Sequence, residues 1–176
     1  VGNALPETAL ICRVPEAERY IARYRERYDP SARRNVPAHV TILYPFMAPA
    51  QVDSKVLAQL AAVAAAVPCF NYRMRETRRF PVALYLAPDP DHFFSALTDG
   101  VHRAFPDYPP FEGKFPTVVP HVTVAHGDEP QLCEIEIELR IALPAGSGVP
   151  ARCSEMILIE NSSGRWEQMQ AFALGV

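Results

Sequence analysis

The alternation of hydrophobic and polar positions changes period several times along this chain, and each change predicts an element. Residues 8–14 (TALICRV) read as a strand. From Glu16 to Tyr28 the period becomes helical, with Tyr20, Ile21, Tyr24 and Tyr28 on one stripe that reads as a packing face. Pro15 at an early helical position and acidic residues in the first turn support this helix, and Asp29-Pro30-Ser31 ends it. Residues 32–37 read as a loop carrying Arg33 and Arg34. Asp53 is placed to cap a helix over 54–67. Phe70, Tyr72 and Met74 then alternate with Asn71, Arg73 and Arg75, which predicts a half-exposed strand over 69–77. Residues 82–87 form another strand, and Asp89 or Asp91 caps a helix running to about Phe105. The stretch 107–120, rich in Pro, Phe and Gly, is a long loop of the kind that often carries function. Residues 132–143 fit both periods. Ile135, Ile137, Leu139, Ile141 and Leu143 alternate as in a strand, while Leu132, Ile135, Leu139 and Ala142 share a helical face. Residues 156–160 and 168–174 close the chain as a hairpin around Asn161-Ser162-Ser163-Gly164.

Two strands stand out from this series. His39-Val40-Thr41 and His121-Val122-Thr123 are near-identical tripeptides, each inside a short β-branched run. On a strand, residues two apart share a face, roughly 6–7 Å from one another. Each copy therefore presents an imidazole beside a hydroxyl. Val40 and Ile42, and Val122 and Val124, point the opposite way into a core. A polar pair aimed inward without a task would be costly to bury. Two such strands facing each other frame a site with two His and two Thr. His126, five residues beyond His121, is expected on the other side of its strand, structural or exposed.

That geometry allows acid–base chemistry from two sides of one reacting atom, as an in-line displacement at a phosphodiester, for example, requires. The attacking and leaving oxygens lie on opposite sides of phosphorus, so a base is needed on one side and an acid on the other. Imidazole titrates near neutral pH, so one ring can accept a proton while its counterpart donates one. Thr41 and Thr123 would donate to the non-bridging oxygens. The scheme needs no metal, and the chain lacks H-x-H and H-E-x-x-H. No cofactor is expected.

The paired motif resembles the 2H phosphoesterase superfamily, which includes 2′-5′ RNA ligase-like proteins and cyclic nucleotide phosphodiesterases. The strings PAHVTILYPF (37–46), RFPVALYLAPDP (79–90) and FPTVVPHVTVAH (115–126) follow one another as in a branch of that family. The resemblance implies a helix over 132–143. It also implies an α+β protein of two pseudo-symmetric lobes of antiparallel sheet with flanking helices. The motifs, 82 residues apart, are then expected on central strands lining a cleft, within one domain over 1–176. The substrate class it implies is a nucleotide or RNA-end 2′,3′-cyclic phosphate, with His39 and His121 as the catalytic pair. 2′-5′ RNA ligation is the same chemistry reversed. A non-nucleotide cyclic phosphodiesterase and a non-catalytic RNA or cyclic-phosphate binding module are the competing readings. Arg33, Arg34 and Lys114 stand in loops before the motifs and could receive phosphate. Phe80, Tyr85, Phe115 and Trp166 are candidates for stacking on a base, and Arg73, Arg75, Arg78 and Arg79 could steer an anion.

Composition narrows the field further. The 176 residues, 49% hydrophobic and 21% charged, suffice for one globular domain with a sizeable core. A net charge of −3 argues against a protein that coats long nucleic acid and leaves room for a small phosphate ester. No apolar run is long enough for a membrane helix, and Val1-Gly2-Asn3-Ala4-Leu5-Pro6 lacks the basic and apolar regions of a secretory signal. Cys12, Cys69, Cys133 and Cys153 form no C-x-x-C, so buried reduced thiols are expected. A cytoplasmic monomer is the expectation that follows.

Overall fold

β1 (Thr8–Arg13) is the buried strand around which one sheet is built: it pairs on one side with β2 (His39–Leu43) and on the other with β7 (Glu155–Glu160). β8 (Glu167–Ala173) completes the antiparallel order β2-β1-β7-β8. A second antiparallel sheet is made of β3 (Phe70–Phe80), β4 (Ala83–Asp89), β5 (Val122–His126) and β6 (Val149–Cys153). Its order is β5-β4-β3-β6. This computed structural model describes residues 5–176. Residues 1–4, part of the segment expected to lack a secretory signal, lie outside the described residues. Among the described residues no helix is long and apolar enough to cross a membrane.

The helices form where their capping chemistry allows. α1 (Pro15–Tyr28) opens on Pro15 and carries Glu16 and Glu18 in its first turn, where negative charge suits the helix dipole. A four-residue helix, α2 (Pro30–Arg33), follows directly, capped by the Asp29 side chain. It replaces part of the expected loop, because Pro30 fits a first helical position and Asp29 accepts from the Ser31 N–H at 2.9 Å. α3 (Ser54–Ala65) begins at the Asp53 cap, whose carboxylate accepts from Val56 N–H at 2.8 Å. α4 (His92–Ala104) starts after Asp91, but that side chain makes no capping hydrogen bond. α5 (Glu129–Ala142) resolves the ambiguous segment as a helix, burying Leu132, Ile135 and Leu139 and leaving Ile137 and Ile141 in solvent. The expected element order omits β6. Its five residues, with Pro150 and Arg152 facing outward, give too short and polar a signal.

The two lobes exchange helices. α1 leaves β1 of the first sheet yet packs on β5 of the second, and α4 leaves β4 of the second yet packs on β2 of the first. The outward faces of both sheets thus join one core, in which Leu10, Val40, Ile42, Leu84, Leu86, Val122 and Val124 are buried. Each such side chain stabilises the fold by roughly 1.5–3 kcal/mol. Contrary to expectation, the motif strands β2 and β5 are edge strands, and they meet each other at the junction of the sheets. An edge position leaves one flank of each motif strand free to face the other lobe. Of the four cysteines, Cys12 and Cys153 are buried, but Cys133 is exposed on α5, contrary to the expectation of buried thiols.

Candidate active site

The duplicated tripeptide is duplicated in space down to its irregularities. In the first lobe Ile11 pairs with Thr41 and Leu10 with Leu43, so Ile42 is an extra residue in its strand. In the second lobe Tyr85 pairs with Thr123 and Leu84 with Ala125, so Val124 is the extra residue. Both bulges fall immediately after the motif threonine. A bulge reverses which side of the sheet the following residues face. The second one brings His126 back to the face of Thr123, opposite Ala83, rather than to the far side as simple alternation predicts.

Both imidazoles are held in the same way. His39 Nδ1 donates to the Pro37 carbonyl at 2.7 Å, and His121 Nδ1 donates to the Val119 carbonyl at 2.7 Å. A carbonyl can only accept, so each Nδ1 carries hydrogen and each neutral ring keeps its lone pair on Nε2. Among the described residues neither Nε2 has a protein partner, and neither do the half-buried Thr41 and Thr123 hydroxyls. Four polar groups are thereby left for a ligand.

The walls of the site differ. Tyr85 stacks on Phe80 with centroids 4.4 Å apart, and both rings meet His121 edge-on at 5.4 and 5.0 Å. Across the β3–β4 ladder Tyr85 is paired with Arg78, so Thr123, Tyr85 and Arg78 form one row over three strands. The corresponding row in the first lobe, Thr41, Ile11 and Ile157, is aliphatic. It belongs to a small cluster with Ile159 and Trp166. Arg13 stands opposite His39 and donates to Gln168 at 2.6 Å.

Electrostatics favour neutral rings in the unliganded site. Burial, with a smaller opposing effect from the Pro37 hydrogen bond, lowers His39 to about 4, and the Arg25 guanidinium and His121 add to the lowering. Burial also lowers His121, again opposed by its carbonyl bond, and His126 contributes in the same direction. The lowering effect of His121 on His39 reflects the meeting of β2 and β5 at the lobe junction.

Sequence reasoning brought the two His and two Thr together, and placed Tyr85 and Phe80 at the site. Other candidates have local partners. Arg33 folds back onto the Glu26 and Arg27 carbonyls at the end of α1. Lys114 pairs with Glu112. Arg34 is exposed, and its carbonyl accepts from Trp166 N–H at 2.8 Å. Trp166 itself is buried against Tyr44, centroids 6.0 Å apart, with no ring face free to stack on a base. Phe115 is 59% exposed and rests edge-on against Phe111, centroids 5.7 Å apart. In the arginine run, Arg75 pairs with Asp89, Arg78 with Glu76, and Arg79 with Glu129 and Glu136. His126 is exposed, as expected, but on the face of Thr123 rather than the far one, and Arg25 is the site residue with no signal in the sequence. Arg25 looks in sequence like any charge on a helix. Among the described residues no three His, Cys, Asp or Glu side chains gather as a metal centre requires.

A two-lobed α+β protein that offers paired imidazoles and hydroxyls from duplicated edge strands defines a class. Residues 14–165 match the model of the 2′-5′ RNA ligase superfamily, and the chain belongs to that superfamily, the 2H phosphoesterases. It is 27% identical over 158 residues to a Geobacillus kaustophilus protein named "Putative phosphoesterase GK0864", covering 86% of each chain. Its fold is similar to that of E. coli LigT in complex with 3′-AMP, with a TM-score of 0.58 and 16% identity over 96% of this chain and 98% of that one. It is also similar to the Thermus thermophilus protein TT0787, with a TM-score of 0.52 and 15% identity over 96% and 97% of the two chains.

Proposed function

We propose that this chain, acting as one domain, opens 2′,3′-cyclic phosphates of nucleotides or RNA ends. The observation that carries this reading is the matched pair of imidazoles, each with its Nε2 and a neighbouring threonine hydroxyl unpartnered among the described residues. E. coli LigT, similar in fold, has been crystallised with 3′-AMP, NADP+, ATP and phosphate, so nucleotide phosphates are a reasonable class to test.

The step balances with these groups alone. One Nε2 takes a proton from water as its oxygen attacks phosphorus. The bond from phosphorus to the ribose 3′ oxygen breaks, and the other imidazolium protonates that oxygen, leaving a 2′-phosphate. Thr41 and Thr123 donate to the non-bridging oxygens, where charge builds. His39, held to about 4, suits the base. His121 is left as the acid and gains its proton when the anionic ester arrives. The test is hydrolysis of the four 2′,3′-cyclic nucleotides in EDTA by the wild type, His39→Ala and His121→Ala. Turnover by the wild type and a loss of roughly 10²–10⁴-fold in each variant are expected. Turnover that survives both substitutions, or none by the wild type on any substrate, overturns the proposal.

A further inference from the structure

Beneath the first motif lies a buried ion cluster that the proposed chemistry does not use. Arg25 and Asp29 side chains are 3% and 2% exposed. Arg25 Nε and Nη2 both bind Asp29 Oδ2 at 3.0 Å. Nη2 also donates to the Val36 carbonyl at 3.1 Å and to Ser31 Oγ at 3.3 Å. Nη1 lies 3.7 Å from Glu18 Oε1, the same oxygen that accepts from Ala38 N–H at 2.5 Å. The cluster thus grips residues 36 and 38, on either side of Pro37. The Pro37 carbonyl is the group that orients His39.

Stability alone does not call for such a cluster. Replacing a buried ion pair by apolar side chains of similar size is often neutral or stabilising, because both charges must be desolvated. The second motif shows that the fold can do without it. Among the described residues no charged side chain binds the backbone of 117–120, although Val119 holds His121 with the same 2.7 Å bond. The asymmetry sits under the histidine assigned the role of base.

We propose that Arg25, locked by Asp29, is a positioning residue that acts on His39 through the backbone it grips around Pro37 and through its buried charge. This rests on the cyclic-phosphodiesterase reading for its catalytic meaning, but not for its physical test. The charged groups around His39 are Arg25, Asp29 and Glu18 from α1 and its cap, Arg13 across the β1–β2 ladder, and His121 from the other lobe. Arg25 opposes the imidazolium and Asp29 favours it. Removing one or the other must therefore move His39 in opposite directions. A purely structural role would loosen the segment in both variants and carry both toward the solvent value of about 6.5.

The experiment is an NMR titration of the His39 and His121 rings in isotope-labelled, ligand-free protein, for the wild type, Arg25→Gln and Asp29→Asn. Arg25→Gln should raise the His39 midpoint. Asp29→Asn should keep the ring neutral at pH values where the wild-type ring is already charged, and His121 should stay in place in both. Movement in the same direction, or none in folded protein, overturns the proposal. Should Arg25→Gln not fold, Arg25→Lys keeps the charge and loses the fork. Its His39 midpoint should hold while the ring nitrogens report a mixture of tautomers, and kcat should fall roughly ten- to a hundredfold with KM little changed. A single Nδ1–H tautomer with wild-type kcat overturns it. The titration needs no substrate, so a wild type inactive on cyclic nucleotides would sink the functional reading and leave this result standing.

Discussion

Tyr85 stands directly across the β4–β5 ladder from Thr123, in the place that Ile11 holds across from Thr41. Two lobes that repeat one motif, one bulge and one histidine-to-carbonyl bond thus present different floors to whatever lies between them. An aromatic and cationic row continues to Arg78 on one side, and an aliphatic row to Ile157 on the other. The asymmetry puts two equivalently held imidazoles in different surroundings.

The threonines should matter to the reaction and not to the fold. Thr41→Val and Thr123→Val remove a hydroxyl that has no partner within the described residues. Each is expected to lower kcat about a hundredfold, the usual effect of losing one donor to a developing oxyanion. Thermal unfolding should shift by no more than about 2 °C, as expected for a change well under 1 kcal/mol. A kcat within threefold of wild type in both variants would show that the hydroxyls do not touch phosphate.

Anion binding should take up protons. Burial lowers both rings in the free protein and so favours their neutral forms, whereas an anion between them favours the charged forms. Calorimetry of inorganic phosphate binding in buffers of different ionisation heat should reveal proton uptake. Affinity should rise as pH falls below neutrality, until His39 protonates in the free state near pH 4. Proton release on binding would contradict the lowered values.

The same shifts bear on stability. The folded protein binds fewer protons at these histidines than the unfolded chain, whose value is about 6.5. Their contribution is therefore intact above that pH and is lost as pH falls toward about 4. Urea unfolding of His39→Gln should depend less steeply on pH across this window than the wild type does. Identical slopes would remove His39 from the account.

Tyr85 should support His121 selectively. Tyr85→Leu removes a ring that stacks on Phe80 and meets the imidazole edge. The expected cost is about 0.5–1.5 kcal/mol for the lost aromatic pairing, together with a fall in kcat and an unchanged His39 titration. An altered His39 midpoint would mean that the lobes are coupled through this ring.

Trp166 should be a stability residue. It is buried with Ile159 and Tyr44, so Trp166→Ala should cost about 3–5 kcal/mol in urea unfolding. KM for a cyclic nucleotide should change less than threefold. A large rise in KM with little loss of stability would return it to a base-stacking role.

Local pattern by itself determined most of the elements and singled out the candidate site residues. Periodicity places β1, α1, α3, β3, α4 and the closing hairpin, because burying one face forces a period of 2 or 3.6 on the chain. The repeated His-x-Thr shows itself because strand geometry puts an imidazole and a hydroxyl on one face at any tripeptide of that form. Tertiary structure alone decided the rest. The edge positions of β2 and β5 and the exchange of α1 and α4 between lobes depend on which strands pair, and pairing is non-local. β6 is stabilised by its ladder with β3, not by its own five residues. The bulge at Val124 turns His126 toward the site, which strict alternation cannot anticipate. Arg25 reads as one more solvated charge until Asp29, Val36 and Glu18 close around it. A buried charge is recognised by its partners, and those are brought together only by the fold.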